Sequence, residues 1–230
     1  IYIIMSNLKA LLKKYWHIVF VLYFPIYMVA FVALEKKSFD NYTFMHCAID
    51  DMIPFCRFFI IPYILWFAYM AVFLVFFFFY SREEFISYAW YLITGMSICL
   101  IIYSVWPSKL DLRPETLEGN DIFTVLVNMI YSTDTPTNVC PSIHCLNSFA
   151  THIAISKCDY FKKRPVIRYA SALLVVLICL STMFLKQHSF IDVVCAVILG
   201  AFLYLIIYSR YSIITSRSRK RTAIFSSTLH

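Results

Sequence analysis

The sequence predicts an all-α, polytopic membrane protein built as a single bundle of six transmembrane helices. Three observations predict it. Hydrophobic residues make up 61% of the 230-residue chain and charged residues only 14%, at a mean hydropathy of +0.74. That leaves too few polar side chains to cover a soluble domain. Apolar stretches close to the length of about 20 residues that crosses a hydrocarbon core recur along the chain. The basic residues gather in alternate connections between those stretches. One domain over residues 1–230 suits this length better than two.

The first span is expected at Trp16–Leu34 and carries Pro25, which a membrane helix tolerates better than a soluble one. Asp50-Asp51-Met52-Ile53-Pro54-Phe55, with Pro62-Tyr63 behind it, mixes acidic and aromatic residues in the way suited to the headgroup level. An interfacial turn or short helix is expected there, leading into the second span, Ile60–Tyr80. The Phe76–Phe79 run reads as lipid-facing or core packing. Phe85–Trp106 forms the third span, and the long connection from Pro107 to Val139 is the candidate for a lid. The fourth span, Pro141–Ser156, is short and polar, with Asn147, Ser148, Thr151 and His152 inside it. Pro141 suits the first position of its helix, with Thr137 or Asn138 as a cap. Val166–Leu185 and Ile191–Tyr208 complete the six, and 210–230 is a basic tail.

Charge sets the expected orientation. With the N-terminus inside, the cytoplasmic segments hold Lys9, Lys13, Lys14, Arg82, a group from Lys157 to Arg168, and the tail, 14 of the 20 basic residues. The other side keeps 10 of the 13 acids, in agreement with the positive-inside rule. The net charge of +7 is then an anchor against anionic lipid. Nucleic acid is excluded as a partner because the basic residues sit in short membrane-flanking loops. Cys47 and Cys56 share the outer side, the one place where a disulfide could form.

Two outer segments carry the chemistry, Cys140-Pro141-Ser142-Ile143-His144 and Lys186-Gln187-His188-Ser189-Phe190-Ile191-Asp192. Polar groups at membrane borders are expensive unless paired or used. His188 and Asp192 stand at i, i+4, so on a helix they share a face. A carboxylate on one imidazole nitrogen fixes the tautomer and frees the other as base or nucleophile. Ser181, seven residues before His188, falls on the same stripe. His144 falls in the first turn of its helix, whose free N–H groups and the Ser142 hydroxyl make an anion site. Lys109 and Arg113 follow the third span, and an arginine fork can hold two phosphate oxygens. Together the parts describe phosphoryl transfer through a phosphohistidine. Cys140 and Cys145 bracket His144 without any paired C-x-x-C spacing, so zinc is rejected. His152 reads as a packed residue with a polar neighbour, and His17, His46 and His230 offer nothing specific.

These segments resemble the type-2 phosphatidic acid phosphatases and their lipid phosphotransferase relatives. Lys109-Leu110-Asp111-Leu112-Arg113-Pro114 matches the family's Lys…Arg-Pro motif, Pro141-Ser142-Ile143-His144 its Pro-Ser-x-His motif, and Ser181-Thr182 through His188 to Asp192 its Ser-Arg…His-x-x-x-Asp motif. The resemblance implies a six-helix bundle and a lipid phosphate or pyrophosphate as substrate, with no metal or other cofactor. It gives His188 the attack on phosphorus, Asp192 its orientation, and His144 the proton for the leaving alkoxide. Lys109, Arg113, Ser142 and Ser181 would hold the phosphate oxygens. The lid's Asp111, Glu115, Glu118 and Asp121 would disfavour a second anion beside them. The segment around Asp50 resembles the family's phosphoinositol-transferring branch.

This chain departs from the pattern in three places. Only three residues separate Lys109 from Arg113, Ile143 replaces a glycine, and Thr182 stands where the family has arginine. Lys186, one turn after Thr182, is expected to supply the missing positive charge. A headgroup phosphotransferase and a non-catalytic scaffold or transporter stay open beside the phosphatase.

Overall fold

In the computed structural model, which describes residues 15–227 and the side chains of 15–208, the chain is helical almost throughout. A 3-10 turn at Trp16–Phe20 leads into α1 (Tyr23–Glu35). β1 (Thr43–Phe44) and the short α2 (Ala48–Met52) follow, the latter where the acidic and aromatic segment predicts an interfacial helix. A second 3-10 turn at Arg57–Phe59 opens α3 (Ile60–Tyr80), and α4 is Arg82–Val105. β2 (Ser108–Lys109) pairs in parallel with β1, and α5 (Ile122–Thr133) fills the middle of the long connection. α6 (Ile143–Lys157), α7 (Asp159–Lys162), α8 (Pro165–Phe184) and α9 (Phe190–Ser227) complete the order. Lys9, Lys13, Lys14 and the side chains of the basic tail lie outside the described residues.

Five stretches among the described residues are long and apolar enough to cross a membrane: Trp16–Glu35, Arg57–Tyr80, Arg82–Val105, Pro165–Phe184 and Phe190–Tyr208. They present apolar side chains outward, Val29, Val105 and Val166 among them, the coat of an integral membrane protein. The expectation of six is therefore corrected to five. The segment predicted as the fourth span is α6, whose 15 residues extend only about 22 Å. A hydrocarbon core is about 30 Å thick.

Its position explains its polarity. α6 packs against α3, α4, α8 and α9 together. Cys145, Leu146, Asn147, Ser148, Ala150, Thr151, Ala154 and Ile155 are all buried. A helix enclosed by protein needs no apolar coat, and most of its polar groups find partners within the bundle, Asn147 Oδ1 being an exception. The Thr151 hydroxyl lies 2.7 Å from the Tyr88 hydroxyl and donates to the Asn147 carbonyl at 2.8 Å. His152 Nδ1 is 2.9 Å from Ser171 Oγ, which also meets the Tyr69 hydroxyl at 2.7 Å. That is the packed role its sequence predicts.

The connection between α4 and α6 is a folded segment. The Asp121 carboxylate caps α5 by accepting from the N–H groups of Phe123 and Thr124, and Arg57 Nη1 reaches it at 3.1 Å. Residues 136–140 run beside β2: Leu110 N–H donates to Pro136 O, Asn138 N–H to Ser108 O, and the Ser108 hydroxyl accepts from Val139 and Cys140. Cys47 and Cys56 are both free thiols, so the disulfide considered for them is not formed.

Candidate active site

Ser142 caps α6. Its extended backbone (φ −67°, ψ 115°) leaves the helix, and its hydroxyl accepts from Cys145 N–H at 3.4 Å. Pro141 thus precedes the cap instead of opening the helix, and neither Thr137 nor Asn138 is the cap. The Pro141 carbonyl accepts from the Tyr103 hydroxyl at 2.6 Å, which pins the motif to the end of α4. Ser142 N–H donates to Asp192 O at 3.1 Å. One backbone hydrogen bond thereby joins the two histidine segments. His144 sits in the first turn of α6 with its ring against Tyr63 and Trp66 of α3, at 4.9 and 4.5 Å between centroids.

The second segment is a turn between two helices. α8 ends at Phe184, and Lys186 takes a left-handed conformation (φ 53°). Gln187 and His188 N–H both donate back to Thr182 O, at 2.8 and 3.0 Å. Ser189 precedes α9, and its N–H donates to Asp192 Oδ2 at 2.9 Å while its hydroxyl accepts from Ile191 N–H at 3.2 Å. Ser-x-x-Asp is thus a capping arrangement. His188 stands just outside the helix, so helical spacing alone does not create its closeness to Asp192. The turn does.

His188, 7% exposed, occupies the centre of a row. Its Nδ1 lies 3.4 Å from Asp192 Oδ2, and its Nε2 lies 3.4 Å from His144 Nδ1. At the Asp192 contact the alignment is too poor for a formed hydrogen bond, and His188 Nδ1 and Asp192 Oδ1 both lack a partner. The distance is nonetheless short enough for strong electrostatic attraction in a buried setting. Burial works to lower the His188 pKa, but the Asp192 carboxylate overcomes it and holds the imidazole above its ordinary value. Such a row can orient a nucleophilic imidazole, take up positive charge and pass a proton.

A cleft of about 30 Å³, with room for a water or two, opens beside the histidines. Asp134, Thr137, Asn138 and Gln187 line it together with His144 and His188. Arg113 borders it. Its Nη2 donates to Asp134 O at 2.9 Å and to Gln187 Oε1, and its guanidinium lies 4.4 Å from the Tyr131 ring centre. Arg113 is thereby fixed to the residue next to His188, with its Nε buried and unpartnered.

The remaining expected residues sit differently. Ser142 is fully buried and engaged at the α6 cap. Ser181, also fully buried, donates its hydroxyl to Ile178 O at 2.7 Å within its own helix. Thr182 donates to Cys179 O at 2.8 Å and lies 3.9 Å from Cys145 Sγ. Lys109 pairs through its backbone in the β1–β2 ladder and is not among the residues lining the cleft. Lys186 does not face the histidines, which corrects its expected role. Its Nζ donates to the carbonyls of Asp50 and Ile53 at 2.8 and 2.5 Å. Helical spacing from Thr182 fails at Lys186 because α8 ends at Phe184 and the backbone reverses.

Sequence reading missed Asp134, Asn138, Gln187, Tyr63 and Trp66 as parts of the site. Gln187 adjoins His188 and could have been suspected. Tyr63 and Trp66 carry no signal in a chain with 19% aromatic residues.

A model of the PAP2 superfamily matches residues 84–215, which contain both histidine segments, α4 and the apolar part of α9. No curated protein and no solved structure matches the chain.

Proposed function

Because the chain belongs to the PAP2 superfamily, we propose that it is an integral membrane phosphatase acting on a lipid phosphate or pyrophosphate through a phosphohistidine. The observation that carries this reading is the buried row of Asp192, His188 and His144 with 3.4 Å at each step. Asp192 favours the proton on Nδ1 of His188 and leaves the Nε2 lone pair to attack phosphorus. The P–O bond to the lipid breaks as the N–P bond forms. Burial and the neighbouring His188 push the His144 pKa down to about 3, so His144 receives its proton beside the bound phosphate anion and then gives it to the departing oxygen. Neutral His144 then takes a proton from water as that water attacks phosphorus, which frees phosphate and restores His188. Arg113, fixed beside Gln187, is the cation best situated to receive the growing charge on the phosphate oxygens. Lys109, Ser142 and Ser181 remain proposed for the same role, Ser181 only if its hydroxyl turns from Ile178 O. The histidine end is proposed to face outward, supported by Lys157, Lys162, Lys163, Arg164 and Arg168 collecting at the opposite end of α6 and α8.

The test is phosphate release from phosphatidic acid and from a polyprenyl diphosphate by the detergent-solubilised protein. His188→Ala is expected to abolish release and to remove an acid-labile phosphoryl-enzyme. Release at the wild-type rate by that variant would sink the mechanism, and no release from either lipid by the wild type would favour a non-catalytic scaffold or transporter.

A second reading is transfer to an alcohol, and the hydroxyl of either acceptor, water or alcohol, would meet the same two unpaired groups. Asn138 Oδ1 and Gln187 Nε2 are buried without partners on the cleft wall, beside the Asp134 carboxylate. Buried unpaired groups are costly, and an alcohol hydroxyl offers both the donor and the acceptor they lack. Adding a diacylglycerol whose acyl chains differ from the donor's and seeking the phosphatidic acid that carries those chains decides between water and alcohol as acceptor.

A further inference from the structure

Residues 186, 189 and 190 surround His188 in the chain, and all three are tied to one distant segment. Asp50 Oδ2 accepts from Ser189 Oγ at 2.6 Å and from Cys47 N–H at 2.8 Å, and its Oδ1 accepts from Phe190 N–H at 2.8 Å. Lys186 Nζ closes the arrangement on the Asp50 and Ile53 carbonyls. Asp50 is 2% exposed, Ser189 0% and Lys186 8%. Ser189 is the link inward, since its N–H donates to the same Asp192 Oδ2 that faces His188.

We propose that Asp50 is a positioning residue for the nucleophile, acting through Ser189 to hold Asp192 against His188. The inference rests on the reading of His188 as the nucleophile. It also goes beyond the family match, because Asp50 lies upstream of residues 84–215.

The physical argument starts from what a buried carboxylate requires. Unpaired, it is very costly, and it stays charged only where several donors converge on it. Three donors do so here, and the N-terminus of α9 adds its positive dipole end. Burial raises the Asp50 pKa, but these hydrogen bonds outweigh it and hold the group below the usual carboxylate value. Asp50 therefore remains a fixed anion through the neutral range. A fixed anion dictates where the Ser189 proton points, and that leaves the Ser189 N–H for Asp192. An asparagine at position 50 keeps the shape but replaces one acceptor oxygen by an NH2 group. Either Ser189 or Phe190 then loses its partner, and the capping turn loosens around Asp192.

Several charged or titratable groups face His188. They are Asp192 from α9, His144 and Cys145 from α6 and Asp134 from the connection before α6, with Arg113 held beside Gln187, while Lys186 of its own turn points away to the Asp50 and Ile53 carbonyls. Asp192 is the one that Ser189 links to Asp50 by hydrogen bonds.

The experiment compares the full-length wild type, Asp50→Asn, Ser189→Ala and the double variant in micelles. Imidazole 15N NMR follows the titration of His188, with His152 as the internal reference. Asp50→Asn is expected to lower the His188 midpoint while leaving that of His152 in place. Phosphate release should fall about ten- to hundred-fold in kcat with KM little changed, the pattern of a displaced reacting group. The double variant should be no worse than the poorer single one, since both act through the same link. Thermal unfolding of each variant identifies any that fails to fold, and Ser189→Ala keeps the question open to measurement if Asp50→Asn is one of them. A folded Asp50→Asn with an unmoved His188 midpoint overturns the proposal, as does full additivity in the double variant. If the wild type releases no phosphate from any lipid, the nucleophile reading fails separately, and the NMR midpoints still judge whether Asp50 controls His188.

Discussion

At the scale of single residues, the balance between burial and Asp192 governs His188. Burial alone would favour the neutral imidazole, whereas the carboxylate 3.4 Å away favours the imidazolium. The carboxylate prevails, and the sign of the pH response follows. Attack needs neutral His188, so the acid limb of kcat/KM is expected to have its midpoint above the ordinary imidazole value of about 6.5. Asp192→Asn should move that limb to lower pH, and an unmoved limb would count against the pair. Stability responds in the opposite sense. A raised folded pKa contributes stability that is complete below about pH 6.5 and disappears as pH rises through the raised value. The wild type should therefore lose part of its advantage over Asp192→Asn, measured by thermal unfolding, as pH is raised across that window. Lys186 shows the limit of residue-level reasoning. A cation one helical turn from Thr182 belongs on the same face only while the helix continues, and α8 has already ended.

Among the elements, α6 is the most informative. Its polarity looks like a weak membrane span when read from sequence, because hydropathy assumes that a helix meets lipid. Enclosure by α3, α4, α8 and α9 removes that assumption. One close approach makes the enclosure testable. A Cβ added to Gly95 of α4 would lie 2.9 Å from Leu146 Cδ2 of α6 and 3.2 Å from Leu203 Cδ1 of α9. Gly95→Leu is expected to cost about 1–3 kcal/mol through overpacking, read as a lower unfolding midpoint. Activity per folded molecule should fall too, because α6 carries His144. Unchanged stability would show that α6 has slack against α4. The sequence does reveal that His144 belongs to a first helical turn and that His188 and Asp192 belong together. The local signal misassigns the means: Ser142 is the cap where Pro141 was expected to open the helix, and a capping turn stands where a helical face was expected.

For the whole molecule, the histidines and the basic residues from Lys157 to Arg168 lie at opposite ends of the bundle. Asn120 is exposed at the histidine end and Lys163 at the other. In intact cells a membrane-impermeant maleimide is expected to label Asn120→Cys, and to label Lys163→Cys only after permeabilisation, each on a background with the native cysteines replaced. The reverse pattern would invert the proposed orientation. Composition, periodicity and short motifs are enough to determine an all-α membrane chain and the pairing of His188 with Asp192, because these depend on neighbours a few residues apart and on the length of apolar runs. That His144, 44 residues away, joins them was implied by the family resemblance. The tertiary structure alone decided that the fourth predicted span is a short enclosed helix, that Lys186 turns away to α2, and that Asp50 reaches the turn carrying His188. The last two outcomes depend on contacts between residues more than a hundred positions apart, and no local pattern encodes which distant backbone will meet a buried charge.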